Sequence, residues 1–283
     1  MNPLVSVVMA VKNYPDFLTT AISSILRQSH HELEFIIVDY GSTDGTTDII
    51  REFTDPRLRL IEFPGLTFTQ ALNVGVAVAN GEYIARQDAD DFSRRTRLER
   101  QVEFMERNPS VDLLGTGFRT VSSNPRRTHD ECFNLGHKLL SEMARYDCPI
   151  AHGTIMARAS VFDTFDYDEK MECAQDYGLY LKIMHHSQFI CHVMPDVLYI
   201  RFHTDKCVTQ TRRRMQLWAV AYAKEKYGVG GARKHEKMRV HVNTYWRTKN
   251  RIKKHVAFII VALYDYRFWL VEFEKSRARR GVE

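Results

Sequence analysis

Three carboxylates fall within four residues at Asp88-Ala89-Asp90-Asp91. They follow Gly81-Glu82-Tyr83-Ile84-Ala85, a stretch that reads as a short strand opened by Asn80-Gly81. Like charges gathered at the end of a buried strand repel one another and resist leaving water. A divalent cation resolves that conflict, and hard carboxylate oxygens suit Mg2+ or Mn2+. Carboxyl ends of parallel strands are also where open α/β sheets take their ligands. Asp88 and Asp90 are therefore candidate metal ligands, whereas Asp91 reads as the cap of the following helix. A solvated acidic turn is the competing reading of the cluster.

A second polar loop, Asp39-Tyr40-Gly41-Ser42-Thr43-Asp44-Gly45, closes an earlier strand. Ser42, Thr43 and Asp44 suit a helix-capping turn, and the same loop could read the edge of a nucleotide base. Tyr40 could stack on that base or bond it through its hydroxyl. Gln70 and Asn73 lie on a helix expected to face the same crevice. For Gln70 a plain polar helix face is the alternative.

The elements that must position these groups alternate. Leu4 to Ala10 is a continuous apolar run, as a strand buried on both faces requires. Leu18, Ala21, Ile22, Ile25 and Leu26 repeat at helical spacing. Strands at 33–38, 57–63 and 83–87 then alternate with helices at 46–53 and 69–79. That order means βαβ units and a mostly parallel sheet. A helix at 96–108 and a strand at 111–118 follow. Beyond them the pattern weakens: helices at 137–146 and 176–186, a strand at 154–157, two short strands at 189–193 and 197–201, and a helix from 210. Gly228-Val229-Gly230-Gly231 breaks that last helix.

The chain has 283 residues, 44% hydrophobic and 27% charged, enough apolar content for a sizeable core. No apolar leader follows Met1, and the five cysteines (132, 148, 173, 191, 207) show no CxxC spacing. A reduced, cytoplasmic protein without a cysteine metal site is the expectation. Charge is unevenly spread. Residues 212–283 hold 19 Lys and Arg against 6 Asp and Glu, so 1–211 carry −8 within a whole-chain charge of +5.

Several segments together resemble glycosyltransferase family 2, inverting GT-A enzymes that use nucleotide-sugar donors. They are Val5-Ser6-Val7-Val8-Met9, Val38 to Thr46, Ala71-Leu72-Asn73-Val74-Gly75, Gly81 to Arg86 and Asp88-Ala89-Asp90-Asp91, and the resemblance covers roughly residues 3–211. It implies a Rossmann-like α/β fold, a doubly wound mixed sheet, as a GT-A domain at 1–211 with a basic helical appendage at 212–283. It implies donor contacts at Val11, Asp39, Tyr40, Gln70, Asn73, Asp88, Ala89, Asp90 and His152. Asp88 and Asp90 resemble the family's DxD pair, which holds Mn2+ or Mg2+. A similarly placed histidine, here His203, completes the metal site or touches the diphosphate. Ala174-Gln175-Asp176-Tyr177 resembles the catalytic acid pair, with Gln175 in place of the first acid and Asp176 as the base. Asp176 also suits a helix N-cap, where the helix terminus would keep it charged. A structural histidine is the alternative at 152, and a surface histidine at 203. Tyr40 stands where the family has the second acid of a pair.

The resemblance implies sugar transfer from a nucleotide-sugar, a UDP-sugar first, to a glycan or lipid-linked acceptor in surface polysaccharide or glycolipid synthesis. In the tail, Val256 to Leu263 is apolar and aromatics follow, with basic clusters on both sides. Residues 249–283 fit a helix lying on the anionic inner face of the cell membrane, or one packed on the core or on a second subunit. A non-catalytic nucleotide or nucleic-acid binder using the basic tail is the competing class. No recognition motif supports it, and no nucleic-acid partner is expected.

Overall fold

A computed structural model of the protein describes residues 2–122, 128–186, 188–203 and 213–228, with the side chains of 203, 213 and 214 outside that description. The apolar runs become strands β1 (Val5–Val11), β2 (Leu33–Asp39), β3 (Leu58–Glu62) and β4 (Tyr83–Arg86), all parallel, in the order β3-β2-β1-β4. Every residue of β1 is buried. Along β2, Phe35 and Ile37 enter one apolar layer while Ile36 and Val38 enter the other. Two covered faces are what a strand without polar alternation needs, and each such side chain contributes about 1.5–3 kcal/mol by leaving water.

One layer is filled by α1 (Leu18–Leu26), α2 (Thr46–Arg51) and α4 (Arg97–Arg107). The other holds α3 (Phe68–Ala77), α5 (His137–Ala144), α6 (Ala159–Thr164), α7 (Gln175–His185) and α8 (Arg213–Lys226). The sheet continues past β4 through β8 (Met156–Arg158), β6 (Leu113–Ser122), β9 (Cys191–His203) and β5 (Phe92–Ser93), with β7 (His129–Glu131) on β6. β8 is antiparallel to both neighbours, whereas β6 and β9 are parallel. This is the doubly wound mixed α/β sheet expected from the sequence.

The structure corrects some local readings. The two short strands expected at 189–193 and 197–201 are one strand, β9, whose register against β6 shifts where Pro195 and Asp196 interrupt it. A proline cannot donate to the ladder, so the alternation breaks there while the strand goes on. Asp91 caps no helix, because α4 begins only at Arg97 after Thr96. β5, β7 and α6 were not anticipated.

α3 starts with a capping box between Thr67 and Gln70. α8 packs on α7 through buried Ala219 and Ala223. Lys226 Nζ also meets Asp168 Oδ2 at 2.7 Å. No helix among the described residues is long and apolar enough to cross a membrane. The loop at 124–127 and the tail segment 249–283 lie outside the described residues, as does the His203 side chain.

Candidate functional site

The carboxyl ends of β1, β2 and β4 place Val11, Asp39 and the Asp88–Asp91 turn along one edge of the sheet. Val11 turns its side chain into the core, and its carbonyl accepts the Tyr40 N–H at 3.2 Å. Asp39 organises its own loop, accepting from Gly41 N–H at 3.0 Å, Ser42 N–H at 2.8 Å and the Thr47 hydroxyl. Burial would raise the Asp39 pKa, but these bonds, Thr47 first, outweigh it and hold the carboxyl below its ordinary value. The N-cap of α2 is Gly45, at φ 87°, a conformation that suits glycine. Asp44 accepts the Thr46 N–H at 3.2 Å, and Ser42 and Thr43 instead tie the loop to Asn13. The Tyr40 ring lies between Lys12, whose ammonium is 5.6 Å from the centroid, and Phe68 at 6.1 Å.

Beneath the acidic turn lie arginines that a sequence reading does not single out. Arg86 is fully buried and donates to Val8 O at 2.7 Å, Gln87 O at 2.8 Å and Asp88 Oδ1 at 2.5 Å. One oxygen of Asp88 is thus tied down, and the other sits against Gly153. Arg97, also fully buried, donates to Gly153 O at 2.6 Å and lies over the Tyr199 ring at 5.5 Å. Burial pulls its pKa down to about 10, so it stays cationic at neutral pH. The Tyr199 hydroxyl accepts the Asp88 N–H at 3.2 Å, and Asp91 Oδ1 accepts the Phe202 N–H at 3.0 Å. Asp91 is therefore spent on β9.

Burial, then the charge of Asp88, pushes the Asp90 carboxyl up to about 6, against the pull of the Tyr14 hydroxyl and Arg201. Burial also drives Asp91 well upward, with Asp90 and Asp88 adding to it. Among the described residues no three His, Cys, Asp or Glu side chains form a complete metal cage. Asp90 and the free oxygen of Asp88 nonetheless fit a Mg2+- or Mn2+-type site, which takes one or two carboxylates and completes itself with phosphate and water. Ala89 lies between them, half-buried.

His152 sits in a 3-10 turn, His152–Thr154, next to this cluster. Its Nε2 pairs with the Tyr167 hydroxyl at 2.8 Å, and the rings meet edge-on at 5.4 Å. Burial and then the Arg86 charge hold its pKa well below the ordinary value, so the imidazole is neutral. Tyr167 in turn is held by Asn73, which donates Nδ2 to Tyr167 O at 3.0 Å and accepts the Tyr167 N–H at 2.9 Å. Gln70 Nε2 donates to Glu169 at 3.2 Å, and the Thr69 hydroxyl to Met171 O at 2.6 Å. One face of α3 is therefore a rack for segment 167–171. In this structure both polar atoms of the Asn73 amide and Nε2 of Gln70 engage that segment, while Gln70 Oε1 accepts the Thr67 N–H at 2.9 Å.

The same segment leads to Ala174, held in a left-handed conformation at φ 53°, and to α7. The N-cap is Ala174, so Asp176 lies in the first turn and does not cap. Its Oδ1 accepts the Tyr177 N–H at 2.8 Å, and the Cys148 thiol approaches Oδ2 at 3.6 Å. Burial raises the Asp176 pKa, the Tyr177 N–H and Cys148 oppose it, and the charge of Asp88 adds to it. Burial thus wins over the helix terminus, the reverse of the balance expected from sequence, and it leaves a stronger base. Cys148, which meets Asp176, and Gly153, which sits against Asp88 Oδ2, belong to one short segment, so both acids border residues 148–153.

The profile of the family described as Glycosyl transferase family 2 matches residues 6–165, more than half of the chain. EpsE of Bacillus subtilis (strain 168), named as a glycosyltransferase, is 37% identical over 173 residues, covering 58% of this chain and 59% of that protein. The uncharacterized glycosyltransferase MJ1057 of Methanocaldococcus jannaschii is 32% identical over 189 residues, covering 64% of each. The chain thus spans about three fifths of the length of the curated relatives it matches. Among solved structures, the mannosyltransferase PcManGT from Pyrobaculum calidifontis, in complex with GDP-Man and Mn2+, aligns with TM-score 0.64 at 20% identity, over 93% of this chain and 75% of that one. S. aureus TarS 1–349 in complex with UDP-GlcNAc aligns with TM-score 0.63 at 18% identity, over 92% and 71%. At such identity the likeness establishes the fold, which is GT-A.

Proposed function

Because the chain belongs to glycosyltransferase family 2, we propose that it moves a sugar from a nucleotide-sugar, a UDP-sugar first, to a hydroxyl of a glycan or lipid-linked acceptor with inversion. The reading places it in surface polysaccharide or glycolipid synthesis, at the cytoplasmic face of the membrane. The observation that carries it is that one short segment, 148–153, touches two carboxylate sites: Gly153 sits against Asp88 Oδ2 at the end of β4, and Cys148 meets Asp176 Oδ2 in the first turn of α7. The neighbours solved with UDP-GlcNAc, or with GDP-Man and Mn2+, support a nucleotide-sugar and a divalent ion.

Asp90 and Asp88 would hold Mn2+ or Mg2+, and such an ion supplies Lewis-acid neutralisation of the departing diphosphate. Asp88 is aimed by Arg86 and so offers one oxygen to the cleft. The loop Asp39–Gly45 and Tyr40 would receive the base. Neutral His152, fixed by Tyr167, would face donor or acceptor as a hydrogen-bonding group. Asp176 would take the proton of the acceptor hydroxyl as its oxygen bonds the anomeric carbon and the bond to diphosphate breaks. His203 as a further metal contact, and residues 212–283 as a basic appendage whose 249–283 segment meets an anionic membrane, remain proposals from sequence.

The test is a donor screen. UDP-, GDP-, dTDP- and ADP-sugars are incubated with Mn2+ and sugar alcohols, and product configuration is read by NMR. The expected result is turnover of one donor with an inverted anomeric centre. Binding of no nucleotide-sugar together with retained binding of RNA would overturn it.

A further inference from the structure

Segment 166–171, which steadies His152 and leads to Asp176, is gripped by three helices. α3 holds it through Thr69, Gln70 and Asn73. From α7, Lys182 Nζ donates to Asp166 O at 2.7 Å and to Asp166 Oδ1 at 2.6 Å. The third grip comes from α8. Lys226 Nζ donates to Asp168 Oδ2 at 2.7 Å, and the hydroxyl of Tyr227, the residue after the helix, donates to the same oxygen at 3.0 Å. The other oxygen of Asp168 accepts the Lys170 N–H at 3.3 Å.

α8 reaches this point already anchored. Ala219 and Ala223 are buried, Lys224 Nζ donates to Tyr146 O at 3.3 Å, and the Tyr227 N–H donates to Ala223 O at 2.9 Å. Asp168 is only 8% exposed, and a carboxylate so far out of water needs its partners. Burial would raise its pKa, but the bonds from Lys226 and then Tyr227 outweigh it and hold the carboxyl below the ordinary value. Without them Asp168 would turn toward water and draw the backbone beside it along. That neighbour is Tyr167, fully buried, whose hydroxyl meets His152 Nε2 at 2.8 Å. We propose that Lys226 and Tyr227 are positioning residues for transfer: by pinning Asp168 they fix Tyr167 and, through its hydroxyl, the His152 imidazole. The catalytic unit then runs through residue 227. The inference rests on the reading that His152 serves transfer. The bonds just named reach neither the Asp39–Gly45 loop nor the Asp88–Asp91 turn, so loosening them should spare nucleotide and metal binding.

The test uses the full chain, the donor that the wild type turns over in the screen above, and the nucleoside diphosphate of that donor. Lys226→Met should lower kcat about tenfold, the weight of one bond to a charged group. Nucleotide affinity in Mn2+ should stay within about twofold. Lys226→Arg keeps the charge and should restore turnover. In a Tyr167→Phe background, Lys226→Met should cost less than about twofold more, because the hydroxyl it acts through is gone. If Lys226→Met does not fold, Tyr227→Phe keeps the ring against Gly178, loses only the hydroxyl, and is read in the same ways. Undiminished turnover in the folded variant, an equal fall of nucleotide affinity and turnover, or full additivity with Tyr167→Phe would each overturn the proposal. A wild type that turns over no donor would instead sink the glycosyl-transfer reading, and the proposal with it.

Discussion

The side-chain amide of Asn73 and the backbone of Tyr167 hold each other in both directions, through bonds of 3.0 Å and 2.9 Å between residues 94 positions apart. Asn73→Ala leaves one backbone donor and one acceptor of a part-buried segment without these partners. At about 1–3 kcal/mol per unsatisfied buried group, we expect a loss of about 2 kcal/mol in unfolding free energy. Turnover should fall further than donor affinity, because Tyr167 fixes His152 and the same segment leads to Asp176. Denaturant unfolding and isothermal titration with nucleotide check both. Wild-type stability in Asn73→Ala would show that the clamp carries no weight.

Metal dependence follows from the acidic turn. Asp90→Ala should abolish transfer and the metal-dependent part of nucleotide binding, while the circular dichroism spectrum stays that of a folded protein. Titration of Mn2+ in the presence and absence of UDP would separate the effects. Undiminished transfer in excess chelator would refute a divalent-ion role.

Asp176 sets stability against activity. Burial lifts its carboxyl above the ordinary value of 3.8, so between those two values the folded state binds more protons than the unfolded one. Its stabilising contribution is complete below the ordinary value and is lost as pH rises through the folded one. At neutral pH the ionised carboxylate is a net cost. Asp176→Asn should therefore raise the thermal midpoint at pH 7 while lowering turnover about 10²–10⁴-fold. In the wild type, activity should fall on the acid side at a pH above the ordinary value of 3.8. Turnover of Asp176→Asn within about threefold of wild type, less than 1 kcal/mol of barrier, would assign the proton to another group.

Gly153 admits no side chain. A Cβ there would overlap the Tyr199 hydroxyl and come within 2.8 Å of Asp88 Oδ2. Gly153→Ala should cost about 1–3 kcal/mol by overpacking and weaken metal-dependent donor binding, because Asp88 must move. A variant with unchanged melting temperature and unchanged Mn2+ titration would contradict this placement.

Much of the first half was legible because β1 and β2 are buried on both faces and say so in unbroken apolar runs. β9 was not, since Pro195 and Asp196 split one strand into two apparent ones. Arg97 opens a charged stretch of helix and reads as surface, yet it is fully buried under the acidic turn, a placement set by Gly153 and Tyr199, which are distant in sequence. The residue types at 88, 90, 152 and 176 were legible as candidates. What was not legible is which of their atoms are already engaged, because Tyr167, Arg86 and Cys148 decide that through contacts without local signature. The sign of the Asp176 shift was missed for the same reason: burial is a property of the assembled cleft, and the helix terminus is visible in the chain.

The bonds from Asp88 to the Tyr199 hydroxyl and from Asp91 to the Phe202 N–H each span 111 positions. A ribosome adding roughly 5–20 residues per second takes roughly 6–22 s to cover that stretch. For that interval a nascent chain can already pair β1 to β4 while the acids at the end of β4 have no β9 to receive them. Arg86 comes off the ribosome just before them, and the acceptors of its side chain at Val8, Gln87 and Asp88 are all made by then. The turn is thus furnished with its counter-charge during synthesis, and its lower half is built before its wall.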